Sequence, residues 1–147
     1  MQLNLQDAKC ECNGKFIFSP RRPGLKKVHR SFDNAIILKV DNSISSCYSW
    51  FLNRELNIDV QKPMWGTHIT VVSDKDRVTD IEKFNRLKDT LNGKEILVPY
   101  NVDVQKQFQF WVLRVTPTEE MIDIRRQLGL KENYPFHITV GRDWDRV

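Results

Sequence analysis

The chain has 147 residues, 40% hydrophobic and 29% charged, with a formal net charge of +4. That length and balance fit one globular domain over 1–147 and exclude a disordered or low-complexity chain. The positive charge favours anionic partners. No apolar run has signal-peptide character or membrane-spanning length, so the chain reads as cytoplasmic, with no membrane partner.

Residues 1–33 form an amino-terminal segment of unassigned role, with weak periodicity apart from the apolar run Phe16-Ile17-Phe18. Cys10, Cys12 and Cys47 are an odd number, and Cys10-Glu11-Cys12 is half a metal site at best. Reduced thiols are therefore expected, with no metal and no cofactor. RRPGLKKVHR (21–30) gathers Arg21, Arg22, Lys26, Lys27 and Arg30 around a Pro-Gly turn, a loop able to attract phosphates; His29 belongs to it.

Ala35 to Val40 reads as a buried strand. Asn42 or Ser43 can cap the helix that follows, which runs to about Leu56. Its apolar face is Ile44, Cys47, Tyr48, Phe51 and Leu52. A loop with Pro63 leads into THITVV (67–72). Thr79 and Glu82 have capping-box spacing for a second helix, striped by Ile81, Phe84, Leu87, Lys88 and Leu91 and stopped at Asn92-Gly93. Glu95 to Tyr100 is a short strand, and Phe108 to Val115 is a longer one in which Trp111 is a core aromatic. Thr116 is the expected cap of a third helix, with Met121, Ile122, Arg125 and Leu128 on its buried side and Gly129 at its end. A loop with Pro135 then leads into FHITVG (136–141).

Each half thus runs strand, helix, Pro-containing loop, His-Ile-Thr-Val strand, and two of the three histidines head the repeated tetrapeptide. Alternation along a strand turns His68 and Thr70 to one face and Ile69 and Val71 to the other. The same holds for His137 and Thr139 against Ile138 and Val140. If the two strands lie close, two imidazoles can act as base and acid on opposite sides of a phosphate. The two hydroxyls can hold its non-bridging oxygens. Symmetry leaves open which histidine is base and which is acid.

His68-Ile69-Thr70 and His137-Ile138-Thr139 resemble the paired His-x-Thr/Ser motifs of the two-histidine (2H) phosphoesterase superfamily, the LigT-like fold, over roughly Ala35 to Arg142. The resemblance implies an α+β fold of two pseudo-twofold-related β-sheet lobes with flanking helices and a central cleft. It implies metal-independent cleavage of phosphodiesters, with His68, Thr70, His137 and Thr139 catalytic. The short interval between the histidines and the short tail resemble the compact phage enzymes that degrade cyclic oligonucleotide immune signals, the anti-CBASS nucleases. Enzymes acting on RNA ends or 2′,3′-cyclic phosphates are the alternative within the class, and a module that sequesters nucleotides is the alternative outside it. A small nucleotide or oligonucleotide is the expected substrate. Trp65 and Tyr134, each three residues before a histidine, are candidates to stack on a base. Arg142 is a candidate phosphate contact, and Trp144 a weaker stacking one.

Overall fold

The structure, a computed structural model, describes residues 9–20, 34–61 and 66–143. The basic loop 21–30, Pro63, Trp65 and Trp144 lie outside these. The elements in chain order are β1 (Lys9–Phe18), β2 (Ile36–Lys39), α1 (Asn42–Leu56), β3 (Val60–Gln61), β4 (His68–Val72), α2 (Ile81–Leu91), β5 (Glu95–Asn101), β6 (Gln105–Gln107), β7 (Phe110–Arg114), α3 (Glu119–Gln127) and β8 (His137–Asp143). This is an α+β chain, as expected. No described helix is long and apolar enough to cross a membrane.

Among the described residues the eight strands form one sheet, ordered β5-β1-β2-β4-β8-β7-β6, with β3 also paired to β8 and all pairings antiparallel. The expected two lobes are therefore joined into one continuous sheet. Ile69 of β4 pairs with Ile138 of β8, so neither half presents an unpaired apolar edge there. The sheet curls until its far strands approach: Tyr100 bridges Val115, and Thr116 N–H donates to the Pro99 carbonyl at 2.9 Å.

The order β1-β2-β4-β8-β7-β6 is symmetric about the Ile69–Ile138 pair. In the first half Ile37 is opposite Thr70, Leu38 opposite Ile69 and Lys39 opposite His68. In the second, Val112 is opposite Thr139, Leu113 opposite Ile138 and Arg114 opposite His137. Both ladders shift register one residue beyond the threonine, leaving Val71 and Val140 as the extra residues of two equivalent bulges. Leu38, Ile69, Val71, Leu113, Ile138 and Val140 are all buried on one face of the sheet, in a core shared with Phe84, Leu87, Met121, Ile124 and Leu128 from the helices. Each such side chain contributes about 1.5–3 kcal/mol by leaving water.

The helices cross over. α1, from the first half, packs on β8, and α3, from the second, packs on β4. Each satisfies a bulge carbonyl of the other half. Ser49 Oγ donates to the Val140 carbonyl at 3.4 Å, and Arg125 Nη1 donates to the Val71 carbonyl at 2.9 Å. Arg125 is 2% exposed and also pairs with Asp76 at 3.0 Å.

Several local expectations shift. β1 is a ten-residue strand where only Phe16-Ile17-Phe18 was anticipated. Its alternating Cys12, Gly14, Phe16 and Phe18 are buried, and it pairs with both β2 and β5. The first helix is capped by Asp41, which accepts from Ser43 N–H, because Asn42 Oδ1 is used instead to accept from Thr67 N–H at 3.0 Å. Cys47 and Phe51 lie exposed, and Ser45 and Leu52 are the buried residues of α1. Asp80 and Thr118 cap α2 and α3 in place of Thr79 and Thr116, each accepting an amide three residues on. Phe108, exposed with φ 56°, turns the β6–β7 hairpin rather than opening a longer strand.

Candidate active site

Four polar side chains share the sheet face opposite the core. His68, Thr70, His137 and Thr139 are half-buried, while Ile69, Val71, Ile138 and Val140 between and beyond them are fully buried on the other side. Ile37 and Val112, the cross-strand partners of the threonines, are buried on the site face and give it an apolar floor. Read outward from the Ile69–Ile138 pair, the antiparallel register sets His68 on the side of Thr139 and Thr70 on the side of His137. The two histidines are then diagonal neighbours, a relation that separates same-face residues by about 7–8 Å.

Both imidazoles are held the same way. His68 Nδ1 lies 2.9 Å from the Gly66 carbonyl and His137 Nδ1 lies 2.9 Å from the Pro135 carbonyl, each two residues back along the chain. A carbonyl only accepts, so Nδ1 carries hydrogen in each ring, and in a neutral ring Nε2 is the nitrogen that can take up a proton. The segments supplying these carbonyls are fixed in parallel fashion. Val40 N–H donates to the Thr67 carbonyl at 3.0 Å, and Val115 N–H donates to the Phe136 carbonyl at 3.1 Å. In the first half the start of α1 adds a clamp: Asn42 binds Thr67 N–H, and the Ser45 and Thr67 hydroxyls lie 2.6 Å apart in a buried contact.

Burial pushes the His68 pKa below its ordinary value, the Gly66 hydrogen bond opposes this in part, and the nearby His137 adds to the lowering. A neutral His68 is therefore favoured near neutral pH.

The remaining sequence candidates divide. Arg142 lies opposite Phe110 in the β7–β8 ladder. Phe110, Val112 and Arg114 alternate on one face of the unbulged β7, so the bulge at Val140 swings Arg142 onto the face of Thr139 and His137. It is half-buried there. Tyr134 faces inward: its ring centroid is 5.1 Å from that of Phe136, and the Arg125 guanidinium stacks 4.1 Å from its centre. Tyr134 is half-buried against the core and serves to hold Arg125. Trp111 is packed against the core and donates to Asp143 Oδ1 at 2.9 Å. Cys10 and Cys47 are exposed and Cys12 is buried with its thiol pKa pushed up to about 11. Among the described residues no group of three His, Cys, Asp or Glu side chains is arranged to hold a metal.

Sequence reading missed Lys39 and Arg114, the partners of the histidines across β2 and β7. Each is a basic residue ending the strand that precedes its half's helix, a shared position visible only once the two halves are aligned. No family model matches the chain, and neither a curated protein nor a solved structure matches it.

Proposed function

We propose that the chain is a phosphodiesterase of two-histidine type, acting without a metal on nucleotide diesters, with cyclic oligonucleotides as the leading substrate class. The observation that carries this reading is the Ile69–Ile138 pairing, which sets two His-x-Thr motifs side by side and antiparallel on one face. A twofold-related pair of imidazoles and hydroxyls around one point suits an in-line displacement at phosphorus.

In this mechanism His68, kept neutral by burial, takes the proton from the attacking oxygen, a water or a ribose 2′-hydroxyl. The oxygen forms its bond to phosphorus as the bond to the leaving oxygen breaks. His137 gives its proton to that departing oxygen, so the proton gained on one side matches the one lost on the other. Thr70 and Thr139 hydroxyls donate to the non-bridging oxygens, and Arg142 offers further charge to the phosphate. With a 2′-hydroxyl as attacker, a 2′,3′-cyclic phosphate forms first.

The test is a panel of cyclic dinucleotides, cyclic trinucleotides, 2′-5′ oligoadenylate and 2′,3′-cyclic nucleotides, with products resolved by mass spectrometry. Cleavage of the cyclic oligonucleotides supports the leading class. Cleavage confined to linear or end-cyclised RNA moves the enzyme to the RNA-end class. Intact recovery of a tightly bound nucleotide makes the chain a sequestering module.

A further inference from the structure

Lys39 and Arg114 occupy equivalent places in the two halves, each directly across the ladder from a histidine of the proposed site. Directly opposed residues point to the same face of a sheet, with Cβ atoms about 4.5–5.5 Å apart. Both cations therefore stand on the face of the four His and Thr side chains. Both are exposed, and neither forms an ion pair with any described residue; Arg114 makes only a long contact, Nε to Gln105 Oε1 at 3.4 Å. Across the sheet the order is β2, β4, β8, β7. Two rungs of the site face thus run Lys39-His68-Thr139-Val112 and Ile37-Thr70-His137-Arg114, with a cation one strand, about 5 Å, outside each diagonally placed histidine.

A single phosphate between the histidines does not call for this arrangement. It is met by the two imidazoles, the two hydroxyls and Arg142. A lysine and an arginine beyond the histidines on opposite flanks fit negative charge that continues in both directions from the scissile group. Ile37 and Val112, each two residues from the cation on its own strand, are buried and supply an apolar floor rather than competing acids. Lys15, the next cation outward, has Glu95 as its own cross-strand neighbour, so the flanking positive charge next to the histidines is that of Lys39 and Arg114.

We infer that Lys39 and Arg114 are substrate-binding residues, each holding a phosphate that neighbours the scissile one. On the phosphodiesterase reading, on which this rests, the substrate is then an oligonucleotide with a phosphate on either side of the cleaved diester, as in a cyclic trinucleotide, and not a mononucleotide cyclic phosphate.

The experiment compares wild type, Lys39→Gln and Arg114→Gln on cyclic tri-adenylate and on 2′,3′-cyclic AMP, measuring kcat and KM separately. Each substitution is expected to raise KM for the trinucleotide about tenfold, the scale of one charge-assisted contact, with kcat little changed. KM for the mononucleotide stays within about twofold, and Lys39→Arg and Arg114→Lys recover most of the loss. A trinucleotide cleaved with unchanged KM by both glutamine variants overturns the inference while leaving the phosphodiesterase reading intact. If wild type cleaves neither compound, that reading fails, and equilibrium binding of the same trinucleotide decides the inference. Weaker binding by both variants then supports it, and unchanged binding overturns it.

Discussion

Ile69 and Ile138 are paired across the centre of the sheet, each fully buried, and the local twofold between the halves passes through them. Everything on the site face follows from that pair. Truncating either isoleucine to alanine should cost about 2–5 kcal/mol, read from the shift in urea midpoint. Truncating exposed Leu97 on β5 should cost far less. Equal losses at the two kinds of site would contradict the assigned core.

Acid–base roles give the second prediction. His68→Ala and His137→Ala should each lower turnover about 10²–10⁴-fold, with circular dichroism and urea midpoint close to wild type. Activity near wild type in either variant removes that histidine from the chemistry.

The lowered pKa of His68 sets a pH dependence with a definite sign. As pH falls, the unfolded chain protonates this histidine first, near the ordinary value of about 6.5, while the folded protein resists. Folding stability therefore falls as pH drops through that value and below it toward the folded pKa, and is insensitive to this group above it. Urea midpoints for wild type and His68→Gln, from about pH 8 to about pH 5, should diverge only at the acidic end, with wild type losing more. In the same range the acidic limb of kcat/KM should lie below the ordinary histidine value. A limb above it would assign the base elsewhere.

Gly66 tests how the histidine is held. Its φ is +74°, and a Cβ there would lie 2.7 Å from Asn42 Oδ1, the atom that accepts from Thr67 N–H. Its carbonyl also anchors His68. Gly66→Ala should cost about 1–3 kcal/mol of stability and lower turnover as well. Gly129→Ala has a similar positive φ of +71° and open space around it, so it should lose stability alone. Equal activity in the two variants would mean the Gly66 segment does not position His68.

Arg125 is the most consequential buried charge among the described residues. It donates to the Val71 and Lys131 carbonyls and pairs with Asp76 beneath the Tyr134 ring. Arg125→Ala leaves the carboxylate and the bulge carbonyl without it, and should cost about 3–5 kcal/mol by urea unfolding. A loss under about 1 kcal/mol, the scale of a surface pair, would show that the network contributes little.

The repeated tetrapeptide, the three helices and the face shared by His and Thr were legible because each rests on short-range periodicity. The register was not. That Lys39 and Arg114 stand opposite the histidines depends on strand partners far along the chain and on two bulges that no local pattern marks. β1 was missed because Cys12 and Gly14, its buried positions, are not strand formers, so the alternation shows only once pairing with β2 and β5 supplies it. The caps slipped by a residue or two because neighbouring Asp, Asn, Ser and Thr side chains compete for the same free amides. Trp111 lies against the core as its strand position implies, whereas Tyr134, a stacking candidate by its place three residues before His137, is turned inward by tertiary neighbours, Phe136 and Arg125.

The most direct test of the central claim is hydrolysis of cyclic tri-adenylate in excess chelator by wild type and by the His68→Ala, His137→Ala double variant, followed by mass spectrometry. The account predicts undiminished cleavage by wild type and none above background by the folded double variant. Loss of wild-type activity in chelator, or cleavage by the double variant at a rate near wild type, would contradict it.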